Sequence, residues 1–151
     1  MGFIIGIDVG ISTTKIVGLR EGRVVSPIRI TAADQVTSLY GAFGKYLHDN
    51  KVALSDVEQV MLTGVGAGYV DESLYGIPTR KVDEFVADGL GARFESGLSK
   101  AIVVSMGTGT SFVQCDGDVP FTLYPSSTPS LILSCRPPSR SMFISVILAR
   151  I

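Results

Sequence analysis

A chain of 151 residues with 46% apolar and 18% charged residues is long enough to bury a core and too apolar to stay unfolded. Its formal net charge of −1 and pI of about 5.7 supply no basic field, so neither nucleic acid nor an anionic membrane is an expected partner. No apolar run reaches the ~18 residues of a membrane span, and the opening MGFIIGIDVG has neither a basic leader nor a Ser or Thr at position 6, so a cytoplasmic protein is expected.

In chain order, FIIGID, TKIVGLR and RVVSPIRIT read as three strands of a β-meander, rich in β-branched residues and turned at Gly10 and at Glu21-Gly22. The period then changes. Val36, Leu39, Tyr40, Phe43 and Leu47 recur at helical spacing, with Asp34 placed to cap that helix and Asn50 to stop it. A strand over Gln59 to Gly64, a short helix near Tyr69 to Tyr75, an extended IPTRKV, a helix from about Asp83 to Ser96 and a strand AIVVSM follow. A hairpin runs from there through GTGT into SFVQCDGD. Strands alternating with helices predict an α/β fold with a mixed sheet.

Composition breaks once. All 17 glycines and all 14 acidic residues lie at or before Asp118, whereas Val119 to Ile151 hold five of the seven prolines and seven serines. Pro125, Pro129, Pro137 and Pro138 interrupt any helix or central strand there. The expected division is therefore a structured unit over 1–118 and a Pro/Ser-rich tail over 119–151, either a disordered linker or, as the favoured reading, out-of-frame translation.

The densest chemistry lies in IIGIDVGISTTKIVGL. Asp8 ends a strand, Gly10 and Ser12-Thr13-Thr14 form a turn, and Lys15 opens the next strand. Glycine lets backbone amides approach anionic oxygens, hydroxyls donate hydrogen bonds, lysine supplies charge, and a carboxylate at a strand end can hold hydrated Mg²⁺. No GxxxxGK[ST] occurs, and the turn opens a hairpin rather than a helix, which excludes the P-loop and the dinucleotide fingerprint. A second such turn, Gly107-Thr108-Gly109-Thr110-Ser111, sits between two apolar runs. Between the turns, Asp83 and Glu84 fall at a helix start; Asp83 reads as a cap, and Glu84 becomes a candidate base if a substrate hydroxyl comes near. His48 reads as a solvated helix-end residue, Tyr40, Phe43 and Tyr46 as core or rim, and Cys115 and Cys135 as thiols without metal spacing.

The succession GIDVGISTTK, MLTGVG, VDEF and VSMGTGTS resembles the type II pantothenate kinases of the actin, Hsp70 and sugar kinase superfamily, over about residues 3 to 118, the amino-terminal half of such an enzyme. The resemblance implies a ribonuclease H-like (actin-like ATPase) domain with a mixed five-stranded sheet and flanking helices. It also implies phosphorylation of pantothenate by ATP and Mg²⁺, the first step of coenzyme A synthesis, and it allows a homodimer. On it, Asp8, Gly10, Ser12, Thr13, Thr14 and Lys15 form the first phosphate turn, Asp8 being the metal residue, and Glu84 is the general base. Gly107, Thr108 and Gly109 face nucleotide phosphates, while Thr108 and Ser111 face pantothenate. Ile11 departs from the family, which has a second glycine there, and a β-branched residue resists positive φ. The family's second nucleotide-binding domain has no counterpart after Asp118, so little kinase activity is expected of this chain. The alternative is an ATPase activator of a 2-hydroxyacyl-CoA dehydratase, which shares the first turn but is expected to hold an iron–sulfur cluster for which Cys115 and Cys135 are no convincing ligand set.

Overall fold

A computed structural model describes residues 2–31, 34–70, 73–106, 110–116, 119–125 and 131–133. Strands β1 (Phe3–Val9), β2 (Thr13–Arg20) and β3 (Arg23–Thr31) form the expected antiparallel meander, and the Glu21-Gly22 turn takes left-handed φ of 53° and 76° at its two corners. Helix α1 (Gln35–Asn50) starts at Asp34, whose Oδ1 accepts from the Thr37 amide at 2.7 Å. The helix stops one residue later than expected: Lys51, not Asn50, is the left-handed cap. Strand β4 (Val57–Thr63) then runs parallel to β1, and β6 (Ile77–Lys81) runs parallel to β4.

The segment expected to be a short helix over 69–75 is built differently. A 3-10 turn covers Val65–Tyr69, and β5 (Ser73–Leu74) pairs antiparallel with β6 across Tyr75-Gly76, both left-handed at φ 53° and 80°. The fully buried Leu74 holds that hairpin in the core. The sheet therefore has six strands, in the order β3-β2-β1-β4-β6-β5, mixed as predicted and one short strand wider.

One face of this sheet packs on α1. Ile5, Ile7, Val9, Ile16, Val60 and Leu62 meet Leu39, Phe43 and Tyr46, and the Tyr46 hydroxyl donates to the Val25 carbonyl at 2.6 Å. Val36, expected on the inner face, is 38% exposed, and Tyr46 takes the buried place at the other end of the helix. The opposite sheet face carries Asp8, Lys15, Val17, Leu19 and Met61, the last three packing together.

Helix α2 (Glu84–Ser96) leaves this sheet and leads to a second one. Asp83 caps it, its Oδ1 accepting from the amides of Phe85 and Val86 at 3.0 and 3.2 Å. Strands β7 (Lys100–Met106), β8 (Thr110–Asp116), β9 (Val119–Pro125) and β10 (Leu131–Leu133) form an antiparallel sheet in the order β10-β9-β8-β7. Leu90 of α2 packs there on Val113 and Cys115 with Phe85, Val86 and Val103. Residues after Asp118 were expected to form a tail, but the backbone of β9 continues the meander on β8. Its prolines sit where a ladder tolerates them: Pro120 in a register shift between Asp116↔Val119 and Gln114↔Thr122, and Pro125 at the strand end. Among the described residues no helix is long and apolar enough to cross a membrane.

Candidate functional site

The site is built at the carboxyl ends of β1 and β4. Asp8 lies across from Lys15 on β2 and from Thr63 on β4, and residues facing one another in register point to the same side of a sheet. Lys15 Nζ is 3.0 Å from Asp8 Oδ2, with the two side chains 24% and 15% exposed, so the pair is partly withdrawn from water and less screened than a surface ion pair. Gly64 follows Thr63 with φ +85°, and a Cβ added there would stand 2.5 Å from Asp8 Oδ1 and 2.6 Å from the Val9 carbonyl oxygen. No side chain fits between Gly64 and the carboxylate, and the left-handed backbone excludes one independently.

The turn closes with the Gly10 amide donating to the Thr13 carbonyl at 3.0 Å. Gly10 turns the chain without a left-handed φ; it is needed because a Cβ would stand 2.9 Å from the Thr13 oxygen. Nor is Ile11 left-handed, so the β-branched residue costs no strain, and its side chain is 61% exposed. Ser12 is exposed, Thr13 half-buried, and Thr14 fully buried with its Oγ1 unpartnered. Of the second turn, Gly107, Thr108 and Gly109 lie outside the described residues. Ser111 is placed on β8 opposite Ser105 of β7, and it is half-buried.

Helix α2 brings two carboxylates toward Asp8 and Lys15. Glu84 opens its first turn and is exposed, yet partial desolvation pushes its carboxyl above the ordinary value, with repulsion from Asp8 adding to this, attraction to Lys15 opposing it, and Asp83 adding a little more. Asp88, one helical turn on, is 8% exposed. Burial pushes its carboxyl from 3.8 up to about 6; nearby Ser105 favours its charge, Glu84 and Asp8 disfavour that charge, and Lys15 favours it. Asp88 Oδ2 and the hydroxyl of Thr63 are buried with no hydrogen-bond partner. Orphaned polar atoms of this kind are uncommon in folded proteins and concentrate where function requires them.

Asp88 and Thr63 are the residues sequence reasoning missed. The available signal was an acid four residues after Glu84, within the run Ala87 to Gly91 that the helix buries. What the arrangement can do follows from its charges: three carboxylates and one lysine, with a backbone turn beside them, suit proton abstraction and cation-assisted binding of a polyphosphate. Among the described residues no three His, Cys, Asp or Glu side chains converge as a metal cage. A hydrated Mg²⁺ held by one carboxylate and by nucleotide phosphates needs no such cage, and Asp8 fits that part.

No protein-family model matches the sequence, and no curated protein matches it. Solved structures do. Component A of the Acidaminococcus fermentans (R)-2-hydroxyglutaryl-CoA dehydratase superposes with a TM-score of 0.67 at 19% identity, over 83% of this chain and 48% of its own. The Clostridium difficile activator of 2-hydroxyisocaproyl-CoA dehydratase, solved with bound ADPNP, gives 0.66 at 18% over 82% and 46%. The ROK hexokinase of Thermus thermophilus gives 0.57 at 14% over 76% and 46%. This chain spans about half the length of each of these proteins, and what it shares with them is the actin-like ATPase, ribonuclease H-like fold.

Proposed function

We propose that this chain carries the phosphate-turn and base side of an ATP-dependent phosphotransferase acting on the primary alcohol of pantothenate. The observation that supports this most is the approach of Glu84, at the start of α2, to the Asp8–Lys15 pair at the end of β1. A carboxyl whose pKa is raised lies within electrostatic reach of Lys15 and Asp8. In this reading Lys15 exchanges Asp8 for a nucleotide phosphate, and the amides of the Gly10 turn receive the remaining charge. Asp8, freed of the lysine, is the residue that would hold hydrated Mg²⁺, which neutralises charge on the phosphates. Glu84 accepts the proton of the C4′ hydroxyl as its oxygen attacks the γ-phosphorus; the bond to the β,γ-bridging oxygen breaks and ADP leaves. The proton ends on Glu84 and the electron pair on ADP. Residues 1–118 would form the catalytic subdomain.

Glu84→Gln tests the reading. Phosphorylation of pantothenate should fall by roughly 10²–10⁴-fold while nucleotide affinity stays within about threefold. Turnover that survives the substitution removes the base. A second reading, an ATPase that activates a 2-hydroxyacyl-CoA dehydratase, is favoured by the likeness to the two activators. It requires ATP hydrolysis that pantothenate does not accelerate, and one assay with and without pantothenate separates the two.

A further inference from the structure

Thr63 has no part in the chemistry above, yet it carries a hydroxyl that the fold keeps at a disadvantage. The residue is 3% exposed, and its Oγ1 is buried without a hydrogen-bond partner. An unpaired buried hydroxyl destabilises a fold, and valine, which has the same shape, would occupy the place without that penalty. Thr63 ends β4 in register with Asp8 of β1, on the sheet face that carries Asp8 and Lys15. Thr14 provides the contrast. Its Oγ1 is also buried and unpaired, but it stands in register with Val9, whose side chain belongs to the core under α1, on the face opposite Asp8.

The two oxygens of Asp8 have different neighbours. Oδ2 accepts from Lys15 Nζ at 3.0 Å. Oδ1 lies toward the end of β4, since a Cβ on Gly64, the residue after Thr63, would stand 2.5 Å from it. Adjacent strands are about 4.8 Å apart, so rotation of the Thr63 side chain about χ1 is enough to bring its hydroxyl to a carboxylate on the neighbouring strand. While Lys15 holds Asp8, the carboxylate makes no demand on that hydroxyl. In the proposed reaction Lys15 leaves for a nucleotide phosphate, and Asp8, whose side chain is 15% exposed, would then be a partly buried ion without its donor.

We infer that Thr63 is a positioning residue: its hydroxyl is held in reserve and donates to Asp8 Oδ1 once Lys15 turns to a phosphate, which keeps Oδ2 in place for the hydrated cation. The trigger rests on the phosphotransferase reading; the replacement of one donor by the other does not. Lys15→Met reproduces the departure of the lysine in the 151-residue chain without any ligand. Thr63→Val removes the hydroxyl and keeps the shape, while Thr63→Ser keeps the hydroxyl. In the parent chain Thr63→Val should raise Tm or leave it within about 1 °C; added to Lys15→Met it should lower Tm by at least ~4 °C, the loss expected of a hydrogen bond to a charged group. Thr63→Ser should shift Tm by the same amount, within about 1 °C, in both backgrounds. A loss from Thr63→Val that is equal in the two backgrounds, or no loss beside Lys15→Met, overturns the assignment. A second measurement needs no Lys15 variant: the rise in Tm given by Mg²⁺ with ADPNP should fall by about half or more in Thr63→Val and by less than about a fifth in Thr63→Ser. Equal rises in the parent and Thr63→Val overturn the assignment as well. A parent chain whose Tm does not respond to Mg²⁺ and ADPNP ends the phosphotransferase reading and leaves the double-mutant result to stand on its own.

Discussion

Replacing Asp88 by Asn should stabilise the protein at neutral pH, and the magnitude follows from its surroundings. The carboxyl titrates at about 6 in the fold and at 3.8 in the unfolded chain, so the folded state holds its proton more tightly than the unfolded state. The sign is the reverse of that for a salt-bridged acid. Above pH 6 the fold bears the full cost of an ionised, buried carboxylate; that cost shrinks as the pH falls through 6 and is gone below 3.8. A difference of about 2 pKa units corresponds to about 3 kcal/mol at pH 7.5, and Asn, which carries no charge, removes most of it. For a chain of this length that is roughly 6–10 °C in Tm. Urea unfolding of both proteins at pH 7.5 and pH 4.5 measures it: Asp88→Asn should be more stable at pH 7.5, and the gap should close toward pH 4.5. An equal gap at the two pH values, or a less stable variant at pH 7.5, would refute the reasoning, since either means that the carboxylate is not penalised by burial.

Three further outcomes are expected. Gly64→Ala should cost at least ~2 kcal/mol, because the residue is left-handed and its new Cβ would stand 2.5 Å from Asp8 Oδ1, and nucleotide affinity should fall with it; thermal unfolding and equilibrium dialysis with labelled nucleotide read the two effects. Tyr46→Phe should cost about 1 kcal/mol in urea unfolding through loss of the 2.6 Å bond to the Val25 carbonyl, and the buried phenol, pushed up to about 12, should stay protonated in an ultraviolet titration to pH 11. Asp83→Ala should lower stability by ~1 kcal/mol, since two amides at the start of α2 lose their acceptor, with Asp83→Ser recovering most of it.

The parts of the fold legible in the sequence are those that local chemistry decides. Turn residues placed the β1–β2–β3 meander, Asp34 and Asp83 marked where helices begin, and the strand-end acid followed by a hydroxyl turn and a lysine marked Asp8 and Lys15 as neighbours. What tertiary packing decides was hidden. The apolar run Ala101 to Met106 reads the same whether a strand is covered on one face or two; in the fold Val103 faces α2 while Ile102 and Val104 are 70% and 43% exposed. Val36 and Tyr46 both suit the inner face of α1 by period, and only the position of β2 and β3 beneath the helix selects Tyr46. Asp88 was the hardest to find, because an acid four residues from another on a helix ordinarily faces water.

The separation between what was read and what was missed has a physical basis in the two hairpins. In the first, the acid is part of the strand, so a linear motif displays it. In the second sheet the buried acid is Asp88, carried on α2, whose Leu90 packs on Val113 and Cys115. A reading of linear motifs sees the first carboxylate and not the second. An acid delivered on a helix also differs in behaviour. Asp8 is fixed by β1 and by Gly64, and its charge is answered by Lys15 at 3.0 Å, whereas the charge on Asp88 depends on how closely α2 rests on the second sheet. Any motion that lifts α2 would rehydrate Asp88 and weaken the coupling of Glu84 to Lys15 together, so the helix that carries the proposed base is also the element whose docking sets the charge around it.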